Sequence, residues 1–292
     1  MMGFGQQVKQ MLPWLRLARL HRPADLGLLW LLGLWGLWLG SDGKPAPAAL
    51  SLLLLALLAL RALAWLVHDL AAALLAHPRH STVEVLRGMP LPLRWLAGAE
   101  LALAVVPLLL LGWPSLIIVL CAAVLGAAFL LLRLRTFLGE LLLALALASA
   151  TLAGFTAAGV LPGKTAWLVY TAAVLWIGAA LIQYAALHLQ QHARLGIKSI
   201  TMLFGRADRW LIALLQLFAL AALGLAGHQE KLGVFMHIAL AVGAVLGLYQ
   251  QYLMASASDP GYRRAWLNNL WFGLAVFCGI AFSYLCRCAP AG

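Results

Sequence analysis

Apolar residues run along this chain in long blocks, not at the spacing of an amphipathic helix or an alternating strand. Nine stretches, at about 24–40, 48–76, 95–112, 114–133, 137–161, 165–188, 208–227, 232–255 and 265–286, are nearly free of charge. At about 1.5 Å of rise per residue, such a stretch crosses or nearly crosses a hydrocarbon layer about 30 Å thick. The gaps between them are short and polar. Only helices satisfy their own backbone within one segment in lipid, so the pattern predicts an all-α, polytopic membrane protein of about nine transmembrane helices. A single domain over 1–292 is expected, with 1–22 a basic amphipathic segment that leads into the first span and not into a cleavable signal peptide.

Composition excludes the soluble alternatives. The chain is 64% hydrophobic and 10% charged, with mean hydropathy +0.96. A net charge of +11 would otherwise suggest a nucleic-acid partner. Here the charge lies in the gaps between spans, so no nucleic-acid partner is expected. Lys9, Arg16, Arg19, Arg22, Arg79, Arg87, Arg94, Arg133, Arg135, Arg194, Lys198, Arg206, Arg209, Arg263 and Arg264 fall on one side. Lys44, Lys164, Lys231 and Arg287 fall on the other. Fifteen against four puts the N-terminus and the loops after spans 2, 4, 6 and 8 in the cytoplasm. Cys121, Cys278, Cys286 and Cys288 have neither the spacing of a disulfide framework nor that of a metal site.

Polar chemistry gathers at the predicted cytoplasmic end. His77, His80 and His192 lie in the loops after spans 2 and 6, with His68 and His188 near the helix ends. His188 and His192 are four apart and share a helix face. Arg61 lies about two turns before Asp69 and within membrane depth, where a charge must face a cavity or a partner. It either binds an anionic head group or pairs with a nearby carboxylate. Lys198 either binds phosphate or marks the membrane boundary.

The segments LRLARLHRPADLGLLWLLGLWGLWLG from Leu15, GIKSITMLFG at 196–205 and LYQQYLMASASDPGYRRAWLNNLWFG at 248–273 occur in the order and spacing of a known family. On them the chain resembles the UbiA superfamily of intramembrane prenyltransferases, and within it the bacterial 4-hydroxybenzoate polyprenyltransferases. The resemblance runs from about Leu15 to Tyr284. It implies nine helices around a central cavity in the bacterial inner membrane. It also implies transfer of a polyprenyl group to an aromatic acceptor in ubiquinone biosynthesis. Magnesium, which prefers oxygen ligands, would bridge a polyprenyl diphosphate to aspartates of two facing motifs.

Those aspartates are mostly missing. In HDLAAALLA, His68 replaces the first motif's asparagine, Asp69 stays, and Ala72 and Ala76 replace the other two aspartates. Where the second motif has four aspartates, this chain has Leu181, His188, Gln191 and His192. Thr82 is retained after the first motif, but Ser81 and Val85 replace the usual arginines. Arg61, Arg133, Tyr184, Lys198, Asn268 and Asn269 match, and the resemblance makes them, with His68, substrate-binding residues. Asp69 is the one retained candidate catalytic carboxylate; Glu84, Glu100 and Glu140 are candidates to compensate. The facing motifs implied by the resemblance would bring His68 and Asp69 opposite His188 and His192, a set better suited to zinc or another transition metal than to magnesium.

Three readings follow. One is a diverged aromatic prenyltransferase with weak or no magnesium-dependent activity. The second is a non-catalytic protein that binds a prenyl lipid or quinone, or assists a partner. The third is a histidine-based transition-metal site in the same cavity.

Overall fold

Residues 23–76, 91–256 and 258–287 are described by a computed structural model of the chain. Among them every regular element is helical. The long helices are α1 (Pro23–Gly40), α2 (Pro47–Ala76), α3 (Leu91–Leu111), α4 (Trp113–Leu132), α5 (Gly139–Ala157) and α6 (Lys164–Leu187). Two short helices follow, α7 (Leu189–Arg194) and α8 (Ile200–Phe204), and then α9 (Asp208–Gln229), α10 (Gly233–Met254) and α11 (Asp259–Arg287). The nine long helices match the nine apolar stretches. Seven are long and apolar enough to cross a membrane, while α1 and α3 carry shorter apolar stretches, Ala24–Gly40 and Ala97–Leu111. The protein is an all-α, multi-pass membrane protein.

Several boundaries differ from the apolar stretches: α3 starts at Leu91 and not near 95, and α5 ends at Ala157 and not near 161. The last helix starts at Asp259 instead of near 265, because Gly261, Tyr262 and Ala265 are already buried against the bundle. Asp259 in its first turn also offsets the helix dipole. The sixth span stops at Leu187: the backbone of His188 (φ −111°, ψ 14°) leaves the α-helical region, and α7 starts afresh at Leu189.

Each long helix packs on the next, and α11 packs on α1, so the bundle closes into a ring. Inside it α1, α5, α6 and α11 also form a closed set of four. Trp35 of α1 stacks on Trp176 of α6 with centroids 4.9 Å apart, and Phe272 of α11 lies 5.2 Å from Trp176. The buried Trp35 Nε1 donates to the Gly273 carbonyl at 3.0 Å. Helices in lipid gain little from hydrophobic burial against one another, so close packing and hydrogen bonds must hold this centre.

The closest approach is between α1 and α5. A Cβ on Gly36 would overlap the Thr151 carbonyl oxygen, and one on Gly154 would overlap that of Gly33. Both obstacles are backbone atoms, which cannot rotate aside. At the end bearing the α1–α2 loop, the Thr165 hydroxyl donates to the Glu230 carboxylate, and Arg287 donates to the Glu230 and Lys231 carbonyls.

Gly36→Ala or Gly154→Ala should force α1 and α5 apart and cost about 1–3 kcal/mol, as overpacking of a dense core does. Denaturant unfolding in detergent micelles measures it. Unchanged stability in both variants would contradict the close packing.

Candidate functional site

A network of side-chain amides lies a turn or two from the aromatic stack, on the side of the α7 and α8 loops. Gln250 of α10 is its hub. Its Oε1 accepts from Gln183 Nε2 of α6 at 2.7 Å and from Gln216 Nε2 of α9 at 2.6 Å. Its own Nε2 donates to Asn268 Oδ1 of α11 at 3.0 Å. Asn269 Nδ2 donates to Gln183 Oε1 at 2.7 Å, and Trp176 Nε1 donates to Asn269 Oδ1 at 3.0 Å. All these residues are buried. The two asparagines, expected to bind substrate, are engaged in joining α11 to α6 and α10. Gln183, Gln216 and Gln250 were absent from the sequence reading. Their signal was present: each is an uncharged polar residue inside an apolar span, and such residues usually bond across helices.

Nearer that same end lies the basic cluster. His68 closes the membrane-length part of α2, and its Nε2 is 2.9 Å from Arg133 Nη1, just past α4. A guanidinium only donates, so Nε2 is the acceptor and the His68 proton sits on Nδ1. His188 Nδ1 is 3.0 Å from the Tyr184 carbonyl, which only accepts, so here Nδ1 carries the proton. The His188 ring lies against Tyr184 with centroids 4.3 Å apart and stacks on His192 at 6.1 Å. The shared face survives the break at His188 because the His192 N–H still donates to the His188 carbonyl at 2.8 Å. Tyr184 also lies 5.8 Å from Trp266 of α11.

Burial holds the His192 imidazole below its ordinary pKa, and the positive charges of His188 and Arg133 push it the same way. Burial also lowers the Arg133 guanidinium, which remains a cation at any physiological pH. Among the described residues, two buried atoms in this cluster have no hydrogen-bond partner: Arg133 Nε and His192 Nδ1.

The loop that follows is fixed by backbone geometry. Gly196 (φ +66°) ends α7 in the left-handed region, which lets the Ile197 N–H reach back to the His192 carbonyl at 2.9 Å. The Lys198 N–H then donates to the Arg133 carbonyl at 2.8 Å, and Lys198 Nζ donates to the Arg135 carbonyl at 3.1 Å. Lys198 therefore braces the α4–α5 loop against the α7–α8 loop. Glu140 Oε2 accepts from the Ile200 N–H at 3.3 Å, an open donor at the start of α8. The carboxylate expected to compensate for lost metal ligands thus caps a helix. Glu100 is buried on α3.

Arg61, whose role the sequence left open, pairs with Asp25 of α1 at 3.5 Å and is 5% exposed. The backbone of Asp69 lies in α2; its side chain, like Glu84, His77, His80, Ser81, Thr82 and Val85, lies outside the described residues, as does the 1–22 segment. Among the described residues no three His, Cys, Asp or Glu side chains come together to hold a metal. Leu181, His188, Gln191 and His192 supply no carboxylate, and an arginine occupies the Nε2 face of His68. These described residues do not fit magnesium. The transition-metal set expected of His68, Asp69, His188 and His192 includes the Asp69 side chain, which lies outside the described residues.

The model of the UbiA prenyltransferase family matches residues 29–274. The chain is 36% identical over 166 residues to a 4-hydroxybenzoate octaprenyltransferase of Hahella chejuensis, covering 57% of this chain and 55% of that protein. It thus spans about half the length of that relative. The fold is similar to that of a UbiA homolog from Aeropyrum pernix K1 (TM-score 0.70, 19% identity, 88% of this chain and 98% of that one). It is also similar to a UbiA homolog from Archaeoglobus fulgidus bound to GPP and Mg2+ (TM-score 0.65, 15% identity, 92% and 99%).

Two measurements check this geometry. Gln250→Leu should cost about 1–3 kcal/mol in unfolding experiments, because it strands several buried donors and acceptors; a loss below about 0.5 kcal/mol would contradict the hub. His192 should titrate below its ordinary value of about 6.5 in imidazole NMR spectra. Between the lowered folded value and 6.5 the unfolded chain binds more protons. The contribution of His192 to stability is therefore full above pH 6.5 and falls as pH drops. Titration at or above 6.5 would contradict its burial beside Arg133.

Proposed function

The chain belongs to the UbiA prenyltransferase family, and from that premise we propose that it holds a prenyl lipid by an anionic, diphosphate-type head group, with magnesium-dependent transfer to an aromatic acid weak or absent. The lipid chain lies in the bilayer and the head group meets the cluster of Arg133, His68, His188 and His192. The polyprenyl diphosphate class is supported by the family and by the GPP bound to the Archaeoglobus homolog. The acceptor class, 4-hydroxybenzoate, is supported by the name of the Hahella relative. The basic loops support placing this end in the cytoplasm and the protein in a bacterial inner membrane.

One observation carries the reading: Arg133 is 7% exposed and its Nε has no partner among the described residues, while Nη1 is engaged by His68. Leaving a buried charged donor unpaired costs about 1–3 kcal/mol or more. An anionic oxygen at Nε would recover that, and guanidinium and phosphate match well in geometry. The partnerless Nδ1 of His192 offers a second contact. In this arrangement Arg133 meets the head group without most of the aspartates that would hold a metal beside it. Holding the ground-state diphosphate this way does not reproduce the stabilisation a departing diphosphate needs, which requires interactions stronger in the transition state than in the ground state.

The test is a product assay with purified protein, geranyl diphosphate, 4-hydroxybenzoate and magnesium. The expected product is no more than in a protein-free control. Magnesium-dependent product that disappears in Asp69→Ala would overturn the non-transferring part of the proposal. In the same preparation Arg133→Gln should weaken geranyl diphosphate binding by about tenfold or more, the loss of one charge-assisted contact.

A further inference from the structure

A half-open cavity of about 850 Å³ lies where the ends of α6 and α10, the short helices α7 and α8, and the starts of α9 and α11 meet. Its lining carries charge of both signs. Arg194 of α7 and Asp259 of α11 are exposed, Arg209 of α9 is half-buried, and Asp208 of α9 is 2% exposed. Two guanidinium groups against two carboxylates leave the lining without net charge. Among the described residues neither arginine comes within 4.0 Å of either carboxylate. Asp208 Oδ1 accepts from the buried Tyr262 hydroxyl at 2.9 Å. A carboxylate has about four acceptor positions, so Asp208 can accept more than this one bond.

The cavity lies at the depth of lipid head groups. Trp210 follows Arg209 at the start of α9 and is 66% exposed, and Tyr252 near the end of α10 is 76% exposed. Tryptophan and tyrosine at the ends of spans settle at head-group level. The Arg209 guanidinium lies 5.0 Å from the Trp210 ring, which keeps it at that level. Asp208, one residue earlier, lies deeper in the protein. Cations at the interface and a carboxylate further in suit a zwitterionic head group. A simple anion would meet the arginines but be repelled by the two aspartates.

We propose that this cavity takes the head group of a phosphoethanolamine-type phospholipid from the surrounding bilayer. The phosphate meets Arg209 at the interface, with the exposed Arg194 beside it, and the primary ammonium reaches inward to Asp208. The acyl chains pass Trp210 and Tyr252 into the bilayer. A primary ammonium has three donors for a buried carboxylate. A choline head group has none, because methyl groups take their place. The site therefore selects on the amine as well as the phosphate. His188 lines both this cavity and the Arg133 cluster, but the proposal does not depend on what that cluster binds.

Native mass spectrometry of the delipidated full-length protein in detergent tests this, with phosphatidylethanolamine, phosphatidylcholine and phosphatidylglycerol of identical acyl chains offered in equal amounts. The first lipid bound should be phosphatidylethanolamine, favoured over phosphatidylcholine by about fivefold or more, the loss of a charge-assisted hydrogen bond. The N-methyl and N,N-dimethyl lipids should fall between the two. This series needs no variant, so it decides the matter even where Asp208→Asn fails to fold. In folded Asp208→Asn the preference should shrink to within about twofold. In Arg209→Gln, retention of all three lipids should drop. Equal retention of the ethanolamine and choline lipids by wild type overturns the proposal. A preference for phosphatidylglycerol overturns it too, since the surface would then act as a plain cationic patch. So does an ethanolamine preference that Asp208→Asn and Arg209→Gln both leave unchanged, which would place the lipid elsewhere on the protein.

Discussion

The buried amides around Gln250 constrain this protein more than any other contact. They sit where water cannot replace a lost hydrogen bond, so each donor must meet its acceptor inside the bundle. One side chain takes hydrogen bonds from α6 and α9 and gives one to α11. That fixes four helices in depth and rotation together. Tyr184 follows Gln183 in sequence, and its ring faces His188 on one side and Trp266 on another. The orientation of the α6 end, and so of the histidine cluster, depends on the amides beneath it. The aromatic stack of Trp35, Trp176 and Phe272 fills the centre beyond them.

At the basic end a few polar contacts fix the loops around Arg133. Gly196 turns the chain, Glu140 caps α8, and Lys198 ties two loops through the Arg133 and Arg135 carbonyls. These contacts hold Arg133 against His68. Among the described residues the motif positions carry imidazole, amide and alkyl groups, none of which replaces a carboxylate as a magnesium ligand. A guanidinium needs no metal to attract phosphate. In the proposed reading, Arg133, which matches the family, attracts an anionic head group at a site with few carboxylates to bridge a metal to it.

Much of this fold was legible in the sequence because lipid imposes simple rules. Nine apolar stretches became nine helices, and the family was legible in segments such as GIKSITMLFG. The site was only partly legible. The facing of His188 and His192 followed from helical spacing, and it survived a helix break that spacing could not foresee. The family resemblance makes Asn268 and Asn269 substrate contacts, while their hydrogen-bond partners come from spans far away in sequence. Only the tertiary fold shows that Gln250 and Gln183 use them. Arg61 had two open readings, and the proximity of α1 to α2 gave it Asp25. The cavity between α7, α9 and α11 left no motif, since its residues come from six separate helices.

The central claim is that Arg133 and its neighbouring imidazoles hold an anionic prenyl head group without a metal bridge. Geranyl diphosphate binding to the protein in nanodiscs, titrated once with magnesium and once with excess EDTA, tests it most directly. The account predicts affinities that agree within about threefold in the two conditions, a difference of roughly 0.6 kcal/mol. Binding that vanishes in EDTA and returns with magnesium would contradict it and restore a metal-bridged site.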